Sequence, residues 1–371
     1  MGEYMESIDI DGLMRQAVSD NIFPGGQLLV SHAGRIIFNR AYGLANIYTG
    51  RPVTHDTLFD LASLTKPLAT TLAVMILMQE EKLSLAQGLS SILPGFCNTP
   101  KAEIQIQHLL YHISGLPDYR PYYIDINNLS FDRRKDALRN RLISEPLVSE
   151  IGKTTRYSDI GFMLLEWVIE QTSGKGLDTF VREKVYEPLG VKDLFYIARH
   201  QNMKEPLPDK NFAATEFCPW RQKLISGQVH DDNAYVMGGV AGQAGLFGTS
   251  ESVHAILAEL FNAFYEKSSK QIFRSDVVHL FLQKKASHER TLGFDTPSPR
   301  GSSSGELFDR QYTVGHLGFT GTSFWMDLKQ QVIVILLTNR IHPSRKNDRI
   351  RKFRPLIHNQ VMHGLKSHSL V

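Results

Sequence analysis

Cysteine is scarce in this chain. The 371 residues include only two cysteines, Cys97 and Cys218, which lie far apart in the sequence. This scarcity excludes a disulfide-dense scaffold and a cysteine-rich zinc site, because each needs several cysteines at defined spacings. One disulfide between the two is still possible, but neither cysteine belongs to a pairing motif. We therefore expect two free thiols with structural roles.

The chain also lacks a strong excess of charge of either sign. Its 41 Lys and Arg residues nearly balance its 38 Asp and Glu residues, which leaves a formal net charge of +3. Nucleic-acid binding usually needs a concentrated basic face, so no nucleic-acid partner is predicted. The basic stretch 340–354 is expected to lead into the solvated face of the last helix.

Long apolar runs and a leader segment are missing as well. No run approaches the 18 residues that a membrane-spanning helix needs, so no membrane span is predicted. The first residues, MGEYMESIDIDGLMRQ, lack the basic segment and the apolar segment of a secretory signal. The sequence as given therefore predicts a cytoplasmic protein, unless a signal has been removed from it.

The remaining composition is that of a globular protein, with 42% hydrophobic residues, and the order of its patterns predicts the fold class. Strand-like segments occur near both ends, and helical periodicity dominates the middle. Strands from the two ends can share an antiparallel sheet only if the chain closes on itself. We predict an α+β protein with one catalytic domain, 1–371. Its sheet part covers about 1–62 and 249–371, and an inserted, mostly helical subdomain covers about 63–248.

Individual segments give narrower predictions. A helix is expected at 64–81, and a β-hairpin is expected to turn at 32–34. A second hairpin, within 323–338, should turn near Lys329-Gln330, and residues 291–294 read as a further strand. The polar and aromatic stretch 118–140 is expected to run irregularly over the surface.

The sharpest chemical signal is Ser63-Leu64-Thr65-Lys66 at the start of the predicted long helix. Residues three apart on a helix share a face, so the Lys66 amine can reach the Ser63 hydroxyl. Serine is a weak nucleophile until a base lies beside it, and a helix N-terminus favours developing negative charge. The alternative is a helix cap followed by a surface lysine. The apolar neighbours at 58–62 argue against a plain surface cap.

Two further segments could complete a site with this serine. Tyr157 precedes an apolar helix and could share the serine proton, provided that a nearby ammonium lowers its pKa. Alternatively, Tyr157 packs against that helix beside its capping residue. In 315–322, glycines at a strand edge would let substrate backbone approach, and an edge N–H could complete an oxyanion hole. The alternative there is a bulge and turn with His316 packed locally.

Together, these motifs resemble the serine β-lactamase and penicillin-binding protein superfamily, specifically its class C β-lactamase-like branch of DD-peptidases and esterases. The pattern of that superfamily is S-x-x-K on a helix, then Y-x-N, then K-T-G or H-x-G on a strand. The resemblance extends over about residues 8–361 and implies the fold predicted above. It also implies that Ser63 is the acylated nucleophile, that Lys66 activates it and relays protons, and that Tyr157 is the general base. No cofactor and no metal are implied.

The resemblance also implies substrate-binding residues, with two departures from the family pattern. Backbone N–H groups of Ser63 and Phe319 would form the oxyanion hole, and Gly318 would let the substrate pair with the strand edge. The family's Asn is Asp159 here, and its Lys is His316, which is mostly neutral at pH 7. Asp159 adds a negative charge that could pair with His316. Both changes should weaken the binding of an anionic substrate.

These departures favour some activities over others. YSD with HxG resembles the esterase and penicillin-binding-protein-4B-like members. We predict a serine hydrolase that acts through an acyl-enzyme on small-molecule esters, amides or peptides: a carboxylesterase, an amidase, or a peptidase for peptides ending in D-amino acids. Weak β-lactamase activity is compatible with this prediction. The alternative is a catalytically silent penicillin-binding or sensor protein. His230-Asp231-Asp232 is more typical of a loop hydrogen-bond network than of a metal site. The oligomeric state is not indicated.

Overall fold

The computed structural model describes residues 10–198 and 211–368 of the chain, with side chains described as far as residue 365. The strands are β1 Gly25–His32, β2 Arg35–Asn46, β3 Arg51–Pro52, β4 Phe59–Asp60, β5 Leu194–Tyr196, β6 Phe217–Cys218, β7 Lys223–Leu224, β8 Leu246–Gly248, β9 Thr313–Leu317, β10 Ser323–Asp327 and β11 Val332–Thr338. The α-helices are α1 Ile10–Ser19, α2 Thr71–Gln79, α3 Leu89–Ile92, α4 Ile106–Leu110, α5 Tyr123–Ile126, α6 Phe131–Ser144, α7 Asp159–Ser173, α8 Leu177–Val181, α9 Glu187–Leu189, α10 Asp232–Val236, α11 Ser250–Phe264, α12 Ser275–Leu282 and α13 Ile350–His368.

Strands from both ends of the chain form one six-stranded antiparallel sheet, in the order β3-β2-β1-β11-β10-β9. The central pair joins the two ends directly, with Gly26 opposite Thr338 and His32 opposite Val332. A small sheet, β4-β8-β5, lies beside the serine segment. The prediction that the chain closes on itself into an antiparallel α+β fold is confirmed. The division at residues 62 and 248 stays a prediction.

Helices cover both faces of the large sheet, which explains why β11 is apolar along nearly its whole length. Alternate residues of a strand face opposite sides. One set packs with α1 and α13, and it comprises Val332, Val334 and Leu336. The other set belongs to the larger core that includes α2 and α11, and it comprises Ile333, Ile335 and Leu337. A strand buried on both sides needs apolar residues at consecutive positions.

Both predicted hairpins are confirmed. The first turns at Ala33 and Gly34, whose φ angles of 48° and 79° match a two-residue turn that fits the strand twist. The second connects β10 and β11 and includes Gln331, with a φ of 56°. The second turn contains the polar residues Lys329, Gln330 and Gln331.

Two predictions about local structure are wrong. The stretch 118–140 contains α5 and most of the fourteen-residue α6. The helix escaped notice because only Leu138 and Leu142 on it are buried, so its apolar stripe is one residue wide. Residues 291–294 form no strand. Leu292 and Phe294 are buried, but the only ladder contact nearby in the described chain is a single bridge to β9.

The predicted helix at 64–81 has three parts. A 3₁₀ turn, Ala62–Leu64, is followed by a π turn, Lys66–Thr70, and then by α2. Pro67 falls in the first turn of the π segment, where a missing N–H costs little. Single π turns inside helices occur frequently at functional sites.

Both cysteines lie within the described residues. Cys97 is exposed, Cys218 is buried, and both are free thiols. Among residues 10–198 and 211–368, no helix combines the length and the apolar character needed to cross a bilayer.

Candidate active site

Ser63 lies in a sharp turn between β4 and the π turn. The preceding residue, Ala62, has a φ of 48°, a left-handed conformation that residues with a Cβ seldom adopt. The buried Asp60 carboxylate holds the turn, because it accepts the N–H of Ala62 at 2.9 Å and the N–H of His230 at 2.6 Å. The surrounding hydrogen bonds thus maintain a strained backbone that presents a half-buried Ser63 side chain to the cleft.

The loop after β9 is tied to the segment that leads into the serine. Thr320 Oγ1 donates to the Asp60 carbonyl at 2.7 Å, and Thr322 Oγ1 donates to the Leu61 carbonyl at 3.0 Å. A Cβ at Gly318 would lie 2.0 Å from Thr322 Oγ1 and 2.6 Å from the Leu61 oxygen. Glycine is therefore required at Gly318 by contact between two segments of the protein itself, whatever the substrate does.

Two backbone donors are available at the junction of these segments. Within the described chain, neither the N–H of Ser63 nor the N–H of Phe319 donates a hydrogen bond to another protein group. On the outer edge of β9, Gly315 exchanges both backbone hydrogen bonds with Asp295, at 2.8 and 2.9 Å. A substrate strand could therefore pair with this edge only beyond Gly315, from Leu317 onward.

Lys66 is fully buried and uses all three of its donors. Its Nζ lies 3.1 Å from Ser63 Oγ, 2.6 Å from Asp159 Oδ1 and 3.1 Å from the Gln243 carbonyl oxygen. The ammonium also lies 4.8 Å from the centre of the Tyr157 ring. The predicted contact between Lys66 and Ser63 is present, and a carboxylate partner that the sequence did not indicate completes it.

Opposing effects set the proton affinities at this centre. Burial by itself lowers the pKa of Lys66, but the Asp159 carboxylate and then Tyr157 outweigh it, so the pKa stays above its usual value. Burial raises the pKa of Tyr157, the Lys66 charge opposes this, and the Asp159 charge adds to it. At neutral pH the resting site therefore holds an ammonium and a neutral phenol. Asp159 favours the protonated form of both groups.

Tyr157 is positioned by the segment around it. The His112 ring lies against the Tyr157 ring with a centroid distance of 4.7 Å, and His112 Nδ1 accepts the N–H of Ser158 at 3.0 Å. Ser158 caps α7 by accepting the N–H of Gly161 at 3.1 Å. The Arg290 guanidinium carbon lies 5.3 Å from the ring centre on the cleft side. Ser158 caps the helix, as one alternative predicts, and Tyr157 lines the cleft together with Ser63, as the other alternative requires.

The possible ion pair between Asp159 and His316 is absent: Asp159 binds Lys66 instead. His316 is buried, and its Nδ1 hydrogen-bonds to the Leu317 carbonyl at 2.9 Å. Burial lowers the pKa of His316 well below its usual value, and the charges of Lys66 and Arg290 lower it further. A buried imidazole flanked by two cations stays neutral, which explains why it does not attract the carboxylate.

These residues line one cleft of about 830 Å³. Six of the seven residues predicted for the site line this cleft: Ser63, Tyr157, Asp159, His316, Gly318 and Phe319. The seventh, Lys66, lies behind Ser63 and contacts its hydroxyl. Phe319 is 47% exposed and stacks on His230 at 5.6 Å. Arg340 holds the Phe319 carbonyl through bonds of 2.9 and 2.6 Å.

Sequence reasoning missed several residues that position Lys66. The glycine-rich segment 238–245 carries no chemical motif, yet its Gln243 carbonyl binds Lys66. The adjacent Gly242 is held on both sides, because its N–H donates to Glu166 at 2.9 Å and its carbonyl accepts from Thr70 at 2.6 Å. The available signal was the density of glycines among apolar residues, which is typical of backbone that approaches other segments closely.

The side chains of Asp231 and Asp232, in the segment His230-Asp231-Asp232, form contacts within the protein. Asp231 caps α10 by accepting the N–H of Ala234 at 2.7 Å, and Asp232 pairs with Arg221 at 2.7 Å. Across the described parts of the chain, no three His, Cys, Asp or Glu side chains converge as metal ligands.

Asp159→Asn should shift the pH dependence of catalysis. The Asp159 charge raises the pKa of both Lys66 and Tyr157, so its removal lowers both. A base must lose a proton before it can accept one from Ser63. The rising limb of kcat/KM against pH is therefore expected to move to lower pH, whichever of the two groups is the base. The profile of a neutral ester substrate measures this. An unchanged rising limb would mean that Asp159 does not control the titrating group.

Comparison with known proteins identifies the family. The family model described as Beta-lactamase matches residues 10–356, so the chain belongs to the β-lactamase family. An N-acetylmuramyl-L-alanine amidase of Bacillus subtilis (strain 168) is 34% identical over 86% of this chain and 78% of its own length. A proposed D-alanyl-D-alanine carboxypeptidase of Escherichia coli (strain K12) is 30% identical over 86% of this chain and 79% of its own length.

Solved structures share the fold. EstCE1, a hydrolase with promiscuous acyltransferase activity, matches with a TM-score of 0.70 and 23% identity, over 95% of this chain and 99% of its own. An octameric penicillin-binding protein homologue from Pyrococcus abyssi matches with a TM-score of 0.69 and 18% identity, over 94% and 77%. The predicted β-lactamase/transpeptidase-like fold is confirmed. The protein is an enzyme, a serine hydrolase of the class that cleaves esters or amides.

Proposed function

We propose that the protein hydrolyses its substrate through an acyl-enzyme on Ser63. The observation that carries this proposal is the contact of Ser63 Oγ with the buried Lys66 ammonium at 3.1 Å, beside Tyr157. Ser63 Oγ attacks the substrate carbonyl carbon as its proton passes to the base. The N–H groups of Ser63 and Phe319 stabilise the oxyanion, a role typically worth 10²–10³ in rate for each donor. The leaving group departs with that proton, and water then cleaves the acyl ester by the same route.

The arrangement of donors supports Tyr157 as the base. The raised pKa of Lys66 keeps it an ammonium, which has no lone pair for the Ser63 proton. Its protons are directed at Ser63, Asp159 and Gln243. Tyr157 must therefore ionise, although burial raises its pKa. The Lys66 charge lowers the pKa of Tyr157 and so favours the phenolate. The Arg290 guanidinium, 5.3 Å from the ring centre, adds a second positive charge nearby. Lys66 and Arg290 thus support the base electrostatically, and Lys66 also orients the serine.

For the substrate we propose an amide bond in a peptidoglycan-type peptide. This choice is supported by the two relatives, since one is named for the N-acetylmuramyl-L-alanine bond and the other for D-alanyl-D-alanine. The neutral His316 in place of the family's Lys disfavours the anionic β-lactams, so their hydrolysis should be slow.

A substrate panel tests this proposal. The purified protein would be incubated with an N-acetylmuramyl-L-alanyl peptide, a D-alanyl-D-alanine peptide, a short-chain p-nitrophenyl ester and a penicillin. We expect one of the two peptides to be cleaved with a kcat/KM at least about tenfold above that for penicillin. Intact mass spectrometry would record any adduct on the protein. A stable penicillin adduct without turnover of any compound would contradict hydrolysis and favour a silent penicillin-binding protein.

A further inference from the structure

The part of the cleft wall around Asp159 and Asp231 includes a carboxylate without an ion-pair partner among the described residues. Both side chains line the cleft, and they are close enough for the Asp159 charge to raise the pKa of Asp231. Asp159 is paired with Lys66 at 2.6 Å, and the neighbouring Asp232 is paired with Arg221 at 2.7 Å. Asp231 forms no ion pair with any lysine, arginine or histidine among the described residues. A carboxylate in a cleft beside a second carboxylate is costly unless a cation joins them.

The contacts of Asp231 use only part of its capacity. Its Oδ1 accepts the N–H of Ala234 at 2.7 Å and Nε2 of Gln243 at 3.2 Å. Burial, followed by the charge of Asp159, raises the pKa of Asp231 to about 6. Asp231 is thus still mostly ionised at neutral pH. Two neutral N–H donors are its partners, so its charge is solvated but not compensated.

Gln243 adds an acceptor that has no donor. Its side chain is 1% exposed, and its amide orientation is fixed because Nε2 must face the Asp231 carboxylate, which only accepts. The other end of the amide, Oε1, has no hydrogen-bond partner among the described residues. An unpaired buried carbonyl costs about 1–3 kcal/mol, so a donor from a ligand would be favoured there.

We propose that Asp231 and Gln243 Oε1, beside Asp159, bind a primary ammonium group on the acyl part of the substrate. An ammonium has three donors and a positive charge, which matches two carboxylates and one amide oxygen. Three such ligands fall short of the six to eight oxygens that Ca²⁺ takes. The exposed Tyr119 ring also lines the cleft, and an aromatic face is able to bind a cation. This inference rests on the acyl-enzyme proposed for Ser63. Of the two peptides proposed above, it selects D-alanyl-D-alanine with a free N-terminus, because the acyl part of an N-acetylmuramyl-L-alanine bond carries no ammonium.

The position of this wall indicates that the ammonium belongs to the acyl part of the substrate. Asp159 and Ser63 Oγ bind the same Lys66 ammonium, at 2.6 and 3.1 Å. A group held against Asp159 therefore lies only a few ångströms from the carbonyl that Ser63 attacks. An α-amino group is at that separation from its own carbonyl. The substrate class is thus esters and amides of α-amino acids with a free amine, including the N-terminal residue of a peptide.

Two isosteric substrates test the ammonium site. Alanyl p-nitroanilide, in both enantiomers, and isobutyryl p-nitroanilide differ only in an ammonium group replaced by a methyl group. The wild type is expected to prefer one alanyl enantiomer over the isobutyryl compound by roughly tenfold to a hundredfold in kcat/KM. Asp231→Asn should reduce this preference to within about threefold. Asparagine also caps helices well, so α10 should stay intact.

Asp276→Asn is the matched control, because it removes the same charge from an exposed position at the start of α12. It should keep the preference of the wild type. Equal kcat/KM values for the two wild-type substrates, or a preference that survives Asp231→Asn, would overturn the ammonium site. Hydrolysis that persists in Ser63→Ala would overturn the proposed function instead. If neither anilide is cleaved, the dissociation constants of alaninamide and isobutyramide would be measured with Ser63→Ala protein. Equal dissociation constants would reject the ammonium site.

Discussion

Ser63→Ala is expected to lower kcat for a short-chain p-nitrophenyl ester by roughly 10⁴-fold or more. The substitution removes the atom that attacks the carbonyl and leaves Lys66 and Tyr157 in place. The backbone donors at Ser63 and Phe319 also remain, so a small residual rate above the uncatalysed reaction should persist. Initial rates with matched protein concentrations measure the loss. Intact mass spectrometry should record an acyl adduct on the wild type and none on the variant.

Ser91→Ala is the control for this result. Ser91 is exposed, and its hydroxyl donates only to the Gly88 carbonyl at 2.8 Å. Its replacement should leave the ester activity within about twofold of the wild type, as is usual for surface positions. Because Ser63 is only half-buried, Ser63→Ala should unfold at nearly the same temperature as the wild type. Ester hydrolysis at the wild-type rate by folded Ser63→Ala would exclude the acyl-enzyme on this residue.

Lys66→Met is expected to impair both activity and stability. Methionine matches the length of the lysine side chain but lacks the charge that orients Ser63 and favours the Tyr157 phenolate, so kcat should fall roughly 10²–10⁴-fold. The variant also deprives Asp159 of its cation, 2.6 Å away. Asp159 is 20% exposed in this pair, so the expected loss of unfolding free energy is about 2–4 kcal/mol. Ester kinetics and urea unfolding measure the two effects.

The double variant Lys66→Met/Asp159→Asn separates these effects. Asparagine removes the unpaired charge, so most of the lost stability should return, while the activity should stay as low as in Lys66→Met. Recovery of activity in the double variant would show that Lys66 acts only by neutralising Asp159. Full stability of Lys66→Met alone would mean that the buried ion pair contributes nothing to folding.

The site was predictable from the sequence where its geometry is local. Ser63 and Lys66 share a helical face, and the 3.1 Å contact follows from that three-residue spacing. Asp159 could be named as a departure from the family pattern, but its partner could not. Asp159 could pair with Lys66, which is 93 residues away, or with His316. Which of them it binds depends on which group is charged after burial.

Contacts between segments that are distant in the sequence could not be predicted, because local patterns do not indicate them. The Gln243 carbonyl reaches Lys66 across 177 residues, and no pattern within either segment indicates it. His112, with a φ of 59°, supports Tyr157 through a bond to Ser158 across 46 residues. Gly318 was assigned to substrate approach, yet the tertiary contact with Leu61 is what forbids a side chain there.

The order of its patterns was enough to determine that this chain closes its two ends into one antiparallel sheet, because alternation and turn residues are local properties. The spacing of Ser63 and Lys66 was enough to predict their contact, and the family resemblance pointed to Tyr157. Only the tertiary structure decided which charges are compensated. Burial and distance decided these pairings: Asp159 pairs with Lys66, burial lowers the pKa of His316 well below its usual value, and Asp231 has no ion-pair partner in the described parts of the chain.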